Sequence, residues 1–171
     1  MEKELFLIDS NSLMTPHLTY YPFDFAASFW DQIEEQIARG RIVILDAVKA
    51  EILKGNDSLQ EWMERIEIGK LIDHRELPIL QQYSKVLQYI QESPVYQAAA
   101  LTEWARESVA DPWLIATAAV YGYTIITFET ENKGLNSRNP SKNAKIPDVA
   151  KQFGVNVKNL YYMMRALNFK L

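Results

Sequence analysis

Residues 111–129 read DPWLIATAAVYGYTIITFE, a helix, a glycine stop and a short buried strand. Proline is at home in the first turn of a helix, so Asp111, just before Pro112, falls naturally at the N-cap. Leu114, Ile115, Ala118 and Ala119 follow at helical spacing, and the small residues permit close packing on a sheet. Gly122 ends the helix. Tyr123–Thr127 is short, β-branched and apolar, as a central parallel strand is. An acid opens this unit and another closes it. Taken alone, Asp111 reads as a cap and Glu129 as a solvated loop acid. The reading changes only if other acids reach the same end of the same sheet.

Working outward, Leu5–Ile8 is a compact apolar run that stops at Asp9-Ser10-Asn11. Four apolar residues in a row fit a strand buried on both faces, and DSN is turn chemistry. Asp9 then lies at the carboxyl end of a first strand, where the ligands of open α/β sheets gather. Met14–Phe23, with two prolines, reads as a loop. A helix is expected over about Phe25–Arg39, with Phe25, Phe29, Trp30, Ile33 and Ile37 inward and Gly40 as its stop. Ile42–Leu45 is a second short strand, and Asp46 can cap the helix after it. Glu51 falls within the apolar stripe of that helix, beside Ile52. A carboxylate there is costly unless paired, bound to a cation or led out to water.

Residues 57–109 read as a helical insertion. Three amphipathic helices are expected, Asn56–Ile68 capped near Asp57, Glu76–Gln91 with Leu77, Leu80, Tyr83, Leu87 and Ile90 inward, and Tyr96–Val109. Beyond Glu129, Asn132–Lys145 is polar, basic and loop-like. A short helix follows from Ile146, with Pro147 and Asp148 in its first turn. Val155–Val157 reads as a last strand, and Asn159 as the cap of a final helix. No repeat and no internal boundary stands out, so 1–171 reads as a single domain.

Composition excludes several classes. The 171 residues are 48% hydrophobic and 23% charged, an ordinary globular balance. No apolar run is long enough to span a membrane, and the first residues lack the zones of a signal peptide, so a cytoplasmic, membrane-free protein is expected. There is no cysteine, and the two histidines are far apart. His74, between Asp73 and Arg75, reads as a surface residue; His17 has no evident partner. Charge is divided unevenly. Residues 1–132 carry 10 Lys/Arg and 21 Asp/Glu, whereas residues 133–171 carry 8 and 1. A basic segment on an acidic body suits phosphate or the acidic body itself.

Strands alternating with helices imply a parallel sheet with helices on both faces, a three-layer α/β/α fold. Right-handed crossovers bring strand ends and helix starts to one edge. Asp9, Asp111 and Glu129 should meet there, with Glu51 reaching in from the helix after the second strand. Clustered carboxylates repel, and a hard divalent cation, Mg²⁺ or Mn²⁺, is the simplest remedy. With DSN after the first strand, Glu51 in a following helix, the DPWLIATA helix and the YTIITFE strand, the chain resembles a PIN domain. More narrowly, it is similar to PIN-like toxins of the VapC kind.

The resemblance implies a Mg²⁺- or Mn²⁺-dependent ribonuclease, the toxin of a type II toxin–antitoxin system, with RNA as substrate and an antitoxin as protein partner; a homodimer is compatible with it. Asp9, Glu51 and Asp111 match the three acids of the family, and Thr127 the usual threonine before the fourth. The fourth acid is here Glu129 rather than Asp, with Glu131 and Asp148 as alternatives. Asp9 and Asp111 are then the main metal ligands, with Glu51 and Glu129 completing the site. Ser10 and Asn11 orient ligands, touch phosphate or simply make the turn. Arg138, Lys142 and Lys145 are candidate phosphate contacts, Tyr20 and Trp113 candidate stacking partners for unpaired bases, though Trp113 suits the core better. Two other readings stand beside this one. A PIN-like RNA- or protein-binding module with weak or no catalysis is motivated by the altered fourth-acid turn. A haloacid-type phosphatase would need a second Asp where Asn11 stands.

Overall fold

The structure is a computed structural model and describes residues 2–171. A five-stranded sheet runs through it in the order β3-β2-β1-β4-β5. Its strands are β1 (Phe6–Ile8), β2 (Ile42–Leu45), β3 (Leu71–Ile72), β4 (Thr124–Ile126) and β5 (Val157–Lys158), and every pairing is parallel. Leu7 of the central strand pairs with Val43 on one side and Ile125 on the other. Consecutive strand residues point to opposite faces. Phe6, Leu7, Ile8 and all of Ile42–Leu45 are nonetheless fully buried, so both faces are covered, as the continuous apolar runs require. This is the expected three-layer α/β/α arrangement.

The helices are α1 (Asn11–Thr15), α2 (Ala27–Ala38), α3 (Asp46–Leu53), α4 (Ser58–Arg65), α5 (Leu77–Glu92), α6 (Ala98–Trp104), α7 (Asp111–Tyr121), α8 (Ile146–Gln152) and α9 (Leu160–Ala166). Several ends follow the sequence closely. Asp57 caps α4 by accepting from the Gln60 N–H at 3.1 Å, and Asn159 caps α9 through the Tyr162 N–H at 2.9 Å. Gly122 stops α7 in the left-handed region at φ 73°, where a Cβ is penalised.

Other expectations give way. The stretch read as a loop from Met14 is helical: α1 runs directly into a π-helical turn over Pro16–Tyr20. Proline tolerates that place because it opens the turn. Phe25 precedes α2 and is 74% exposed, not inward. In α5 the buried stripe is Ile79, Val86 and Ile90, while Leu77 and Leu80 face solvent. The helix from Tyr96 is shortened to α6, and the last strand slides to Val157–Lys158. Strand β3 lies inside the stretch read as purely helical. It is seated by Gly69, whose amide donates to the Ile37 carbonyl at 3.1 Å; a Cβ there would run into the Ala38 carbonyl.

Candidate active site

The carboxyl edge of the sheet collects acids because three strands end in the same way. Ile8-Asp9, Leu45-Asp46 and Ile72-Asp73 each place an aspartate just past a buried apolar residue. Asp9 extends β1 by donating its amide to the Ile126 carbonyl at 2.9 Å, so it sits at the centre of that edge. It is 5% exposed. Its Oδ2 accepts from the Thr127 hydroxyl at 2.8 Å, just beyond the end of β4. Thr127 Oγ1 in turn accepts from Asn11 Nδ2 at 3.1 Å and from the Glu129 amide at 3.1 Å. Asn11 Oδ1 receives the Phe128 amide at 3.1 Å, and Ser10 Oγ reaches Asp9 Oδ1 at 3.5 Å. Ser10, Asn11 and Thr127 thus hold Asp9 and the Thr127–Glu129 turn in one network.

Asp111 arrives from another direction. It is the first residue of α7; Ala110 occupies the cap position and no side chain caps the helix. The carboxylate is therefore not used as the N-cap that the sequence suggested. Burial pushes Asp111 up to about 8, and Glu129, Asp9 and Glu51 push the same way, with Lys145 alone opposing them. Burial likewise pushes Asp9 up to about 7, moderated by the Thr127 hydroxyl and reinforced by Glu129 and Glu51. Asp9 and Asp111 are thus each within electrostatic reach of Glu51 and Glu129, although the four come from distant segments. Glu129 is anchored, since its Oε2 accepts the Ile146 amide at 2.7 Å.

The two alternative fourth acids are tied to other partners. Asp148 accepts the Asn132 amide at 3.0 and 3.3 Å, and Glu131 pairs with Lys151 at 3.4 Å. Lys142 and Lys145 line a cleft of about 170 Å³ with Asp111 and Glu129. Arg138 is exposed in the loop before α8, away from that cleft. Glu51 opens onto a neighbouring cleft of about 590 Å³ shared with Asp46, Lys54, His74 and Glu107. Trp113 is buried and stacked on Tyr83, so it belongs to the core.

The sequence missed one constellation here. His74 is partly buried rather than a surface residue. Its Nδ1 lies 2.7 Å from Asp46 Oδ2, and its ring packs on Trp113. His17 packs on Phe23 and Trp30 and lies 3.4 Å from Ser58 Oγ. Asp46, Asp73 and His74 form the one trio of ligand-type side chains within 4.8 Å of one another among the described residues. Each of them is already matched, however: Asp46 with His74, and Asp73 with the Arg75 guanidinium at 3.0 Å. Among the described residues Asp9 and Asp111 make no such ion pair, and an all-carboxylate donor set fits a hard divalent cation. The signal that could have revealed the trio is the apolar-pair-then-Asp pattern, which marks β3 as it marks β1.

A family described as Domain of unknown function (DUF4411) matches residues 6–171. The chain belongs to this family. No curated protein sequence matches it. Among solved structures, this DUF4411 chain is similar to a chain of VapBC2 from Rickettsia felis bound to a DNA fragment from their promoter. There the identity is 13%, the coverage 91% of this chain and 98% of that one, and the TM-score 0.52. For FitAcB from Neisseria gonorrhoeae the corresponding values are 17%, 92%, 99% and 0.54. For FitAB bound to an IR36 DNA fragment they are 18%, 91%, 94% and 0.52. At these identities the likeness is one of fold, and the DUF4411 chain has the PIN fold of those chains.

Proposed function

We propose that the chain is a Mg²⁺- or Mn²⁺-dependent endoribonuclease and the toxin of a toxin–antitoxin pair, built as one PIN-like domain. The observation that carries this is the upward push on Asp9 and Asp111, to about 7 and about 8, by burial and by Glu129 and Glu51. Folding would not assemble mutually repelling, poorly solvated carboxylates without a use for them. Asp9 and Asp111 would hold the ion, with Glu51 and Glu129 completing its surroundings. Such an ion supplies positive charge to the phosphate under attack and acidity to a water molecule.

The chain's own residues do the remainder. Thr127 fixes the Asp9 carboxylate through Oδ2, and Asn11 fixes Thr127. The Ile146 amide holds Glu129 Oε2, which leaves Oε1 to orient or deprotonate water. Lys142 and Lys145 stand where a backbone phosphate would cross between Asp111 and Glu129. The antitoxin partner is inferred from the complexes in which the structural neighbours were solved.

Purified protein incubated with RNA tests this directly. Cleavage should need Mn²⁺ or Mg²⁺ and vanish with EDTA, Asp9→Asn or Asp111→Asn. A second reading, a PIN-like binding module with weak catalysis, is favoured by one fact: no three of the four acids bring oxygens within 4.8 Å of each other. A calorimetric titration decides between the two, because the binding module would take up no Mn²⁺ at these acids.

A further inference from the structure

The sheet edge is not electrically uniform, and its asymmetry gives a direction to any bound polyanion. On the β2–β3 side, the cleft beside Glu51 presents Asp46 and Glu107 as well, against Lys54 and His74. On the β4–β5 side lies a cleft of about 780 Å³, within the size range of ligand-binding clefts, roughly 300–1,000 Å³. Lys133, Lys151 and Lys158 line it, against Glu129 and Glu131, so cations outnumber acids here and acids outnumber cations on the other side. Lys151 is paired with Glu131, whereas Lys133 and Lys158 make no ion pair among the described residues. The lysines belong to the loop after β4, to α8 and to β5, so three separate elements converge cations on one groove.

Aromatic rings run along the same groove. Phe128 and Tyr161 line it, half-buried, with centroids 6.4 Å apart at 82°. Tyr20, 48% exposed, continues the row 6.3 Å from Phe128. Phe128 stands between Thr127, which holds Asp9, and Glu129. Phe128, the middle ring, is thus the one next to the acids, with Tyr161 beside it in the groove and Tyr20 on its other side, outside the groove's lining. Partly exposed rings beside Lys133 and Lys158, which make no ion pair among the described residues, suit unpaired bases on a phosphate backbone.

We infer that the Tyr20–Phe128–Tyr161 row and Lys133, Lys151 and Lys158 form the track for single-stranded RNA on the β5 side of the acids. This rests on the ribonuclease reading only for which strand is cut; binding itself is measurable without cleavage. The test is fluorescence anisotropy of a short labelled oligoribonucleotide with the full chain in EDTA, over a KCl series. Lys133→Ala and Lys158→Ala should each flatten the log–log salt slope by roughly 0.7, the value for one phosphate on a single strand. Phe128→Leu should weaken binding roughly fivefold to a hundredfold. Lys158→Arg should restore the slope, and Lys85→Ala on α5 should change nothing.

Single-stranded RNA should compete far better than a duplex of the same sequence. Wild-type slope and affinity in both lysine variants would overturn the track, as would equal competition by duplex. If metal-dependent cleavage persists alongside either result, the nuclease reading survives and the track alone is lost. A wild-type chain that binds no RNA in EDTA also overturns the track, and the cleavage assay then judges the nuclease reading separately.

Discussion

Replacing Asp9 by asparagine should make the metal-free protein more stable above neutral pH. A carboxyl of this kind ordinarily titrates near 3.8, and in the fold burial pushes Asp9 up to about 7. Between those two values the folded chain binds more protons than the unfolded one, so stability falls as pH rises. It is fully present below 3.8 and lost through the folded value. Each tenfold in the dissociation constant is worth about 1.4 kcal/mol, which makes the Asp9 loss on the order of 4 kcal/mol by pH 8. Asp111, pushed up to about 8, behaves alike. The two share their mutual repulsion, so their losses do not simply add.

In Asp9→Asn the new side-chain amide keeps an oxygen for the Thr127 hydroxyl and carries no charge, and it relieves Asp111 as well. A gain of about 2–4 kcal/mol at pH 8 follows, or roughly 5–15 °C in Tm for a domain of this length. At pH 4.5 the variant and the wild type should melt together. The assay is thermal unfolding in EDTA across pH 4.5–8.5. Excess Mn²⁺ should stabilise the wild type at pH 8 by about 2.7 kcal/mol at a hundred times Kd, raising its Tm, and leave Asp9→Asn unmoved. A wild-type Tm that is flat or rising from pH 5 to 8, or an asparagine variant less stable at both ends, would refute the picture of crowded, unmatched acids.

Thr127→Val should remove the donor that holds Asp9 Oδ2, lowering metal affinity or cleavage by roughly 10–100-fold. Because that hydroxyl holds the Asp9 carboxyl down, the acidic limb of a cleavage pH profile should also move upward. Gly69→Ala should cost about 2–3 kcal/mol in urea unfolding, since the new methyl meets the Ala38 carbonyl under β3. Asp57→Ala should cost about 1 kcal/mol by uncapping α4, with cleavage unchanged.

The parts of the fold legible in sequence are those where local chemistry and burial agree. Phe6–Ile8, Ile42–Leu45 and Thr124–Ile126 are continuous apolar runs because both sheet faces are covered. Strand β3 has only Leu71 and Ile72, with Leu71 half-exposed at the sheet edge, so no periodicity announces it. α5 carries two apolar stripes, one with Ile79, Val86 and Ile90, the other with Leu77 and Leu80. Spacing alone cannot rank them, and the packing of α5 against α7 selects the first. The order of the acids was readable, but their surroundings were not. Whether Asp111 caps its helix, and whether Glu129 is tied to Ile146, depends on contacts across the chain.

The same limit explains why acids alone do not mark the site. Asp9, Asp46 and Asp73 end their strands alike, each directly after a buried apolar residue. What separates them is what stands opposite. Asp46 faces His74 at 2.7 Å, and Asp73 faces Arg75, whose guanidinium holds its carboxyl below the usual range. Asp9 ends the central strand, the position most enclosed by neighbours, and faces Glu129 and Glu51 instead. A carboxylate matched within the protein has its charge committed to structure. One left facing other carboxylates keeps it available, and Asp9 and Asp111 are the two that burial and their neighbours leave in that condition.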